Sequence, residues 1–168
     1  MGLRMKFFLL ATLLCSGAAF AQQAADTASP SPVGVWATRS DKTGQTQAHI
    51  LIAERAGKLY GRIVKVLDPQ AKPGELCIKC TDDRKNKAMA SLEIIRGVDV
   101  QSDDGQWLGG RILDPQEGKE YRLKLLPQAD GQHLGVRGYL GPFYRTQIWT
   151  RVTATKATPA ASGGGQHF

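Results

Sequence analysis

The residues best equipped for chemistry fall in three places. Cys77-Ile-Lys-Cys80 brings two sulfurs together within a few residues. Such a pair can be a structural disulfide, a redox centre or half of a zinc site. Near the end of the patterned sequence, Arg145, Gln147, Trp149 and Arg151 recur at every second position, and on a strand they share one face. Just before them, Arg137 and Tyr139 have the same spacing. Guanidinium forks beside aromatic rings suit a carboxylate or phosphate carried on an apolar body.

Each set has a plainer reading. A redox Cys-x-x-Cys relies on a helix N-terminus to lower its thiol pKa, and no βαβ pattern surrounds this one. Zinc would need a second close pair of ligands, whereas His49 and His133 lie far apart and His167 is near the C-terminus. The favoured reading is a Cys77–Cys80 disulfide, with neither metal nor cofactor. Its ring is short, so by loop entropy it stabilises by only about 2 kcal/mol and pins a loop. The neighbouring Asp82-Asp83-Arg84 reads as solvated loop. There is no Gly-x-Ser-x-Gly elbow, His-Glu-x-x-His or phosphate-binding Gly loop, so the chain does not read as an enzyme. Most of its Asp residues fall where turns need them.

The segments around these residues set the compartment and the fold. Arg4 and Lys6 precede an apolar run from Phe7 to Leu14, and small residues follow to Ala19-Phe20-Ala21. That is a cleavable signal peptide over 1–21, too short in its apolar part to span a bilayer. Leu14 before Cys15 is too large for a lipobox. Residues 22–32 read as a linker and 153–168 as a disordered tail, both small and polar with proline. The net charge is +7, with basic residues scattered among acidic ones. No nucleic-acid motif accompanies them, so no nucleic-acid partner is expected.

Between 33 and 152, turn clusters such as Asp41-Lys-Thr-Gly44, Ala129-Asp-Gly131 and Gly141-Pro142 separate short runs rich in Val, Ile, Leu, Tyr and Trp. Glu120-Tyr-Arg-Leu-Lys-Leu125 alternates cleanly, the mark of a half-buried strand. The expectation is all-β: eight antiparallel strands in up-and-down order, closed into a barrel that leaves no edge. Asn86-Lys-Ala-Met-Ala-Ser91 has helix formers and admits one short helix. The one long connection runs from Asp68 to Lys87 and carries the Cys pair.

Gly34-Val-Trp36 looks like the Gly-x-Trp signature of lipocalins and other calycin barrels. There a late Arg packs over the Trp and closes one end; the matching residues are Trp36 and Arg151. Over 33–152 the chain more closely resembles a bacterial exported family, domain of unknown function 2147. That resemblance is carried by Gly34-Val-Trp36, Leu59-Tyr-Gly-Arg-Ile63, Cys77-Ile-Lys-Cys80, Gly110-Arg-Ile-Leu-Asp-Pro115, Gly118-Lys-Glu-Tyr121, Val136-Arg-Gly-Tyr139 and Arg145-Thr-Gln-Ile-Trp-Thr-Arg151. Ser91 departs from it, standing where Gly is usual. The resemblance implies a lipocalin-like barrel in the periplasm or secreted, and no established activity.

The leading functional expectation is therefore an exported barrel that binds a hydrophobic or amphipathic small molecule, lipid-like or anionic. Arg137 and Tyr139 are the candidate anchor, with Tyr121 and Trp107 as walls. That assignment needs a bulge near Gly138 if Leu134 and Val136 fill the interior. The last strand has two orientations, one with Arg145, Gln147, Trp149 and Arg151 inside, the other with Tyr144, Ile148 and Val152 inside. The alternatives are an envelope interaction protein with a filled barrel, and a thiol-disulfide enzyme using Cys77 and Cys80. The export reading predicts that N-terminal sequencing of protein from the periplasm or medium begins at Gln22. An intact Met1 or a lipid-modified Cys15 would reject it.

Overall fold

The computed structural model describes residues 30–99 and 106–153. The signal peptide, most of the linker, the turn at 102–105 and nearly all of the tail lie outside the described residues. The eight strands are β1 Gly34–Arg39, β2 Thr46–Arg55, β3 Lys58–Val66, β4 Glu93–Asp99, β5 Arg111–Asp114, β6 Lys119–Pro127, β7 His133–Leu140 and β8 Phe143–Arg151. Each pairs antiparallel with the next and β8 returns to β1, closing the barrel. The up-and-down order read from the turn spacing is the order observed.

Alternation sends one residue in two to the core. Ile50 and Ile52 on β2, Leu123 and Leu125 on β6, and Leu134 and Val136 on β7 are all buried. β8 contributes Trp149, 2% exposed, whereas Ile148 is 47% and Tyr144 61% exposed. The Arg145–Gln147–Trp149–Arg151 face is thus the inner one. β5 is shorter than its apolar run implies. Gly109 has φ +86°, so Trp107 and Leu108 make only isolated bridges to Leu125 and Asp99.

No helix forms among the described residues, and the segment from Asn86 to Ser91 explains why. Asn86 and Ser91 both have positive φ, 59° and 77°. Ala88 between them pairs with Leu76 across the insertion. A left-handed residue at each end leaves no room for a helical turn. Ser91 therefore occupies a conformation that glycine adopts with less strain.

One end of the barrel is sealed by Arg151. It lies directly opposite Trp36 across the β1–β8 seam, with its guanidinium carbon 4.1 Å from the Trp36 ring centroid. Arg151 Nε donates to the Gly131 carbonyl at 2.6 Å, Nη1 to Val33 at 2.9 Å and Nη2 to Ser31 at 2.9 Å. Trp36 is fully buried and its Nε1 donates to the Pro32 carbonyl at 2.8 Å. Gly34 is required here: a Cβ would stand 2.3 Å from Arg151 Nη1, and its φ is +136°. The seam itself pairs only Trp36 with Arg151 and Ala37 with Thr150, so this clamp carries much of the closure.

Truncating a buried Trp costs about 3–5 kcal/mol, so Trp36→Ala should destabilise far more than Trp107→Ala, whose ring is only partly buried. Arg151→Lys removes the fork that serves three carbonyls and should cost about 2–4 kcal/mol despite keeping the charge. Urea unfolding of the three variants checks both. Equal losses at Trp36 and Trp107 would contradict the clamp.

Candidate ligand cavity

The other end of the barrel is open. A cavity of about 440 Å³ sits there, within the range of small-molecule sites. Ile50, Val136 and Trp149 form apolar wall deep in the barrel, and Thr38 and Tyr121 add hydroxyls. The lip comes from loops: Ala71, Glu75 and Met89 in the β3–β4 insertion, Pro115 after β5, and Leu140 and Phe143 at the β7–β8 tip. Gly138 faces inward without a side chain, leaving space beside Tyr121.

A polar chain climbs the β8 wall. Trp149 Nε1 donates to Gln147 Oε1 at 3.3 Å, and Gln147 Nε2 donates to Asp41 Oδ2 at 3.0 Å. Arg145 pairs with the same Asp41 carboxylate. The one guanidinium that the described residues bring to the lining is thus neutralised, whereas Asp68, Glu75 and Asp114 add carboxylates to the same rim. Among the described residues, no His, Cys, Ser or Lys lines the cavity. Among the described residues no cluster of His, Cys, Asp or Glu could hold a metal ion.

The four residues expected to bind ligand are not brought together. Tyr121 lines the cavity; Arg137, Tyr139 and Trp107 do not. β7 keeps continuous register with β6 from Pro127↔Leu134 to Arg122↔Tyr139, and with β8 along its whole length. With no bulge at Gly138, burial of Leu134 and Val136 turns Arg137 and Tyr139 outward. Arg137 instead stacks on Tyr144 at 4.5 Å and donates through Nε to Thr146 Oγ1 at 2.8 Å. Trp107 packs against the core beside Leu125.

The β3–β4 insertion is fastened to the barrel. Cys77 and Cys80 form a disulfide and both are fully buried, with Cys77 Sγ 3.5 Å from the Pro115 carbonyl oxygen. Burial keeps these sulfurs from the exposed, electropositive setting that redox cysteines use. Asp82-Asp83-Arg84 is not a simple solvated loop, because Arg84 is only 3% exposed. Its Nε donates to Asp82 Oδ1 at 3.1 Å, its Nη1 to the Glu93 carbonyl at 3.2 Å, and its Nη2 pairs with Glu120 on β6. Asp83 accepts a two-pronged bond from Arg96 on β4 at 2.7 and 2.8 Å. A charged triplet gives no sequence signal for such docking; Asp82, the Glu93 carbonyl and Glu120 from β6 together make Arg84 buriable.

Residues 34–151 match the family described as "uncharacterized protein conserved in bacteria" (DUF2147). The chain belongs to that family. Its barrel also resembles HP1028 from Helicobacter pylori, whose description places that protein in the lipocalin family. The two share 15% identity with a TM-score of 0.61, over 72% of this chain and 82% of HP1028. At that identity the likeness is one of fold. No curated protein matches the sequence of this DUF2147 chain.

The insertion gives a pH-dependent expectation. The side-chain bond from Arg84 holds the Asp82 carboxyl down at about 2, against an ordinary value of 3.8. Because the folded-state pKa is depressed, the contribution is whole above the ordinary value and is lost as pH falls through about 2. Limited proteolysis with pepsin should open the insertion as pH drops through that window. Asp82→Asn should already be open above it. An insertion equally resistant in both proteins would show that Asp82 does not hold it.

Proposed function

We propose that this chain is an exported binding protein whose barrel holds a hydrophobic or amphipathic small molecule in its open-end cavity. The observation that carries this reading is the cavity itself. It is of ligand size and walled by apolar side chains, with one polar chain on β8. Apolar walls supply area, and a few placed polar groups orient the guest. Export is supported by the basic, apolar and Ala-x-Ala segments in order at the N-terminus and by a disulfide, which persists in oxidising compartments.

The rim charge narrows the guest. Arg145 is already satisfied by Asp41, and Asp68, Glu75 and Asp114 surround the same opening. A free carboxylate guest would meet repulsion there, so a neutral or cationic polar end fits better than a fatty-acid anion. The described lining residues bring no nucleophile beside a base, which favours binding over catalysis.

Native mass spectrometry of protein recovered from its own host should show a small-molecule adduct. Ala48 lines the cavity, and Ala48→Trp would fill it, at a strain of about 1–3 kcal/mol. The adduct should vanish in that variant and weaken in Gln147→Leu, which breaks the polar chain. A bare mass for the wild type would favour an envelope interaction protein instead.

A further inference from the structure

The outer face of β5–β8 concentrates positive charge. Arg111 on β5 lies directly opposite Arg122 on β6, and Lys124 on β6 directly opposite Arg137 on β7. Like charges directly opposite one another destabilise a sheet, and here two such pairs lie side by side; a third, Arg96 on β4 opposite Arg111, is relieved by Asp83 and Glu93, which bind Arg96. Among the described residues, none of the four has a carboxylate within ion-pair distance. Glu120, the acidic residue on the same face of β6, is taken by Arg84.

The patch continues into an apolar tip. Arg122 lies opposite Tyr139, which lies opposite Tyr144, so two arginines and two tyrosines form one cross-strand row. Arg122 Nη2 reaches the Gly141 carbonyl in the β7–β8 turn at 3.4 Å. At that turn Leu140 is 62% and Phe143 77% exposed. Tyr139 and Tyr144 stand between charge and tip, with ring centroids 5.7 Å apart. Cations, then tyrosines, then a protruding Phe and Leu is the order met on entering a bilayer from water. Phosphates lie outermost, amphipathic rings suit the interface, and apolar groups go below.

We propose that this face docks the barrel on a bilayer containing anionic phospholipid, with Phe143 and Leu140 entering the headgroup layer. The charge complementarity commits the occupant: guanidinium and ammonium groups with no carboxylate partner among the described residues meet lipid phosphates. Arg137, held by Tyr144 and Thr146, is pre-organised for that contact. The proposal stands on surface chemistry and does not depend on the cavity holding a guest. Leu140, Phe143 and Tyr144 also line the cavity mouth, so the docking face and the mouth share an edge.

Vesicle flotation tests this with the chain recovered from its own host, using phosphatidylcholine alone and phosphatidylcholine mixed with phosphatidylglycerol. The wild type should float with the mixed vesicles at low salt and dissociate as salt rises, and should not float with phosphatidylcholine alone. Neutralising two cations, Arg111→Gln with Arg122→Gln, should weaken partitioning about twenty- to thirty-fold. The same change should leave thermal stability equal or higher, because a like-charge pair is removed. Phe143→Ser should weaken flotation at every salt concentration. No flotation, equal flotation on both lipids, or an unchanged double variant would overturn the proposal. So would retention by a soluble polyanion without flotation, which would assign the face to an anionic polymer.

Discussion

The guanidinium of Arg151 is the interaction on which the barrel closes. One side chain covers the Trp36 ring and ties three backbone carbonyls, from the segment before β1 and from the β6–β7 turn. Hydrogen bonds from a charged donor are among the stronger ones in a protein. Here they converge on the short β1–β8 ladder. A closed barrel has no edge to protect, but the β1–β8 ladder that completes it holds only two residue pairs, as few as the β4–β5 ladder. Placing a fork there, with Gly34 bare enough to admit it, lets a thin seam hold.

That seal divides the labour between the two ends. The Trp36 ring and Arg151 close one end. The other end is framed by connections free to differ in length, and the longest carries its own fastening. Arg84 reaches Glu120 on β6, Arg96 on β4 reaches back to Asp83, and the disulfide stiffens the span between. Without those cross-ties an insertion of this polarity could not keep Ala71, Glu75 and Met89 at the lip.

Much of the fold could be read from the sequence because turns and alternation are local signals. The eight strands, their order and the Trp36–Arg151 pairing all follow from such signals or from the resemblance they supported. The inner face of β8 did not follow, since alternation alone leaves both orientations open. Burial of Trp149 against the β7 residues Leu134 and Val136 decides it. The same parity removes Arg137 and Tyr139 from the cavity, where their residue types had suggested an anchor. The helical turn at 86–91 failed for a different reason. Helix propensity counts per residue, whereas Ala88 pairs with Leu76 and the Asn86 and Ser91 amides donate to the Cys77 and Ile63 carbonyls, all partners outside that window. The lip of the cavity was least legible. Its residues are ordinary loop residues, and only their position above the barrel gives them a role.

The chain enters the barrel and leaves it at the same place. Ser31 and Val33 are bonded to Arg151, and the Val152 amide donates to the Val35 carbonyl at 2.8 Å. Topologically the domain is therefore nearly a ring, cut between β8 and β1. Neighbouring ends of this kind are what circular permutation exploits. A short link could join β8 to β1, and the cut could move to the exposed Ala56-Gly57 turn between β2 and β3. Every strand pair would survive, and the Arg151 clamp would become an internal joint instead of a fastening of loose ends.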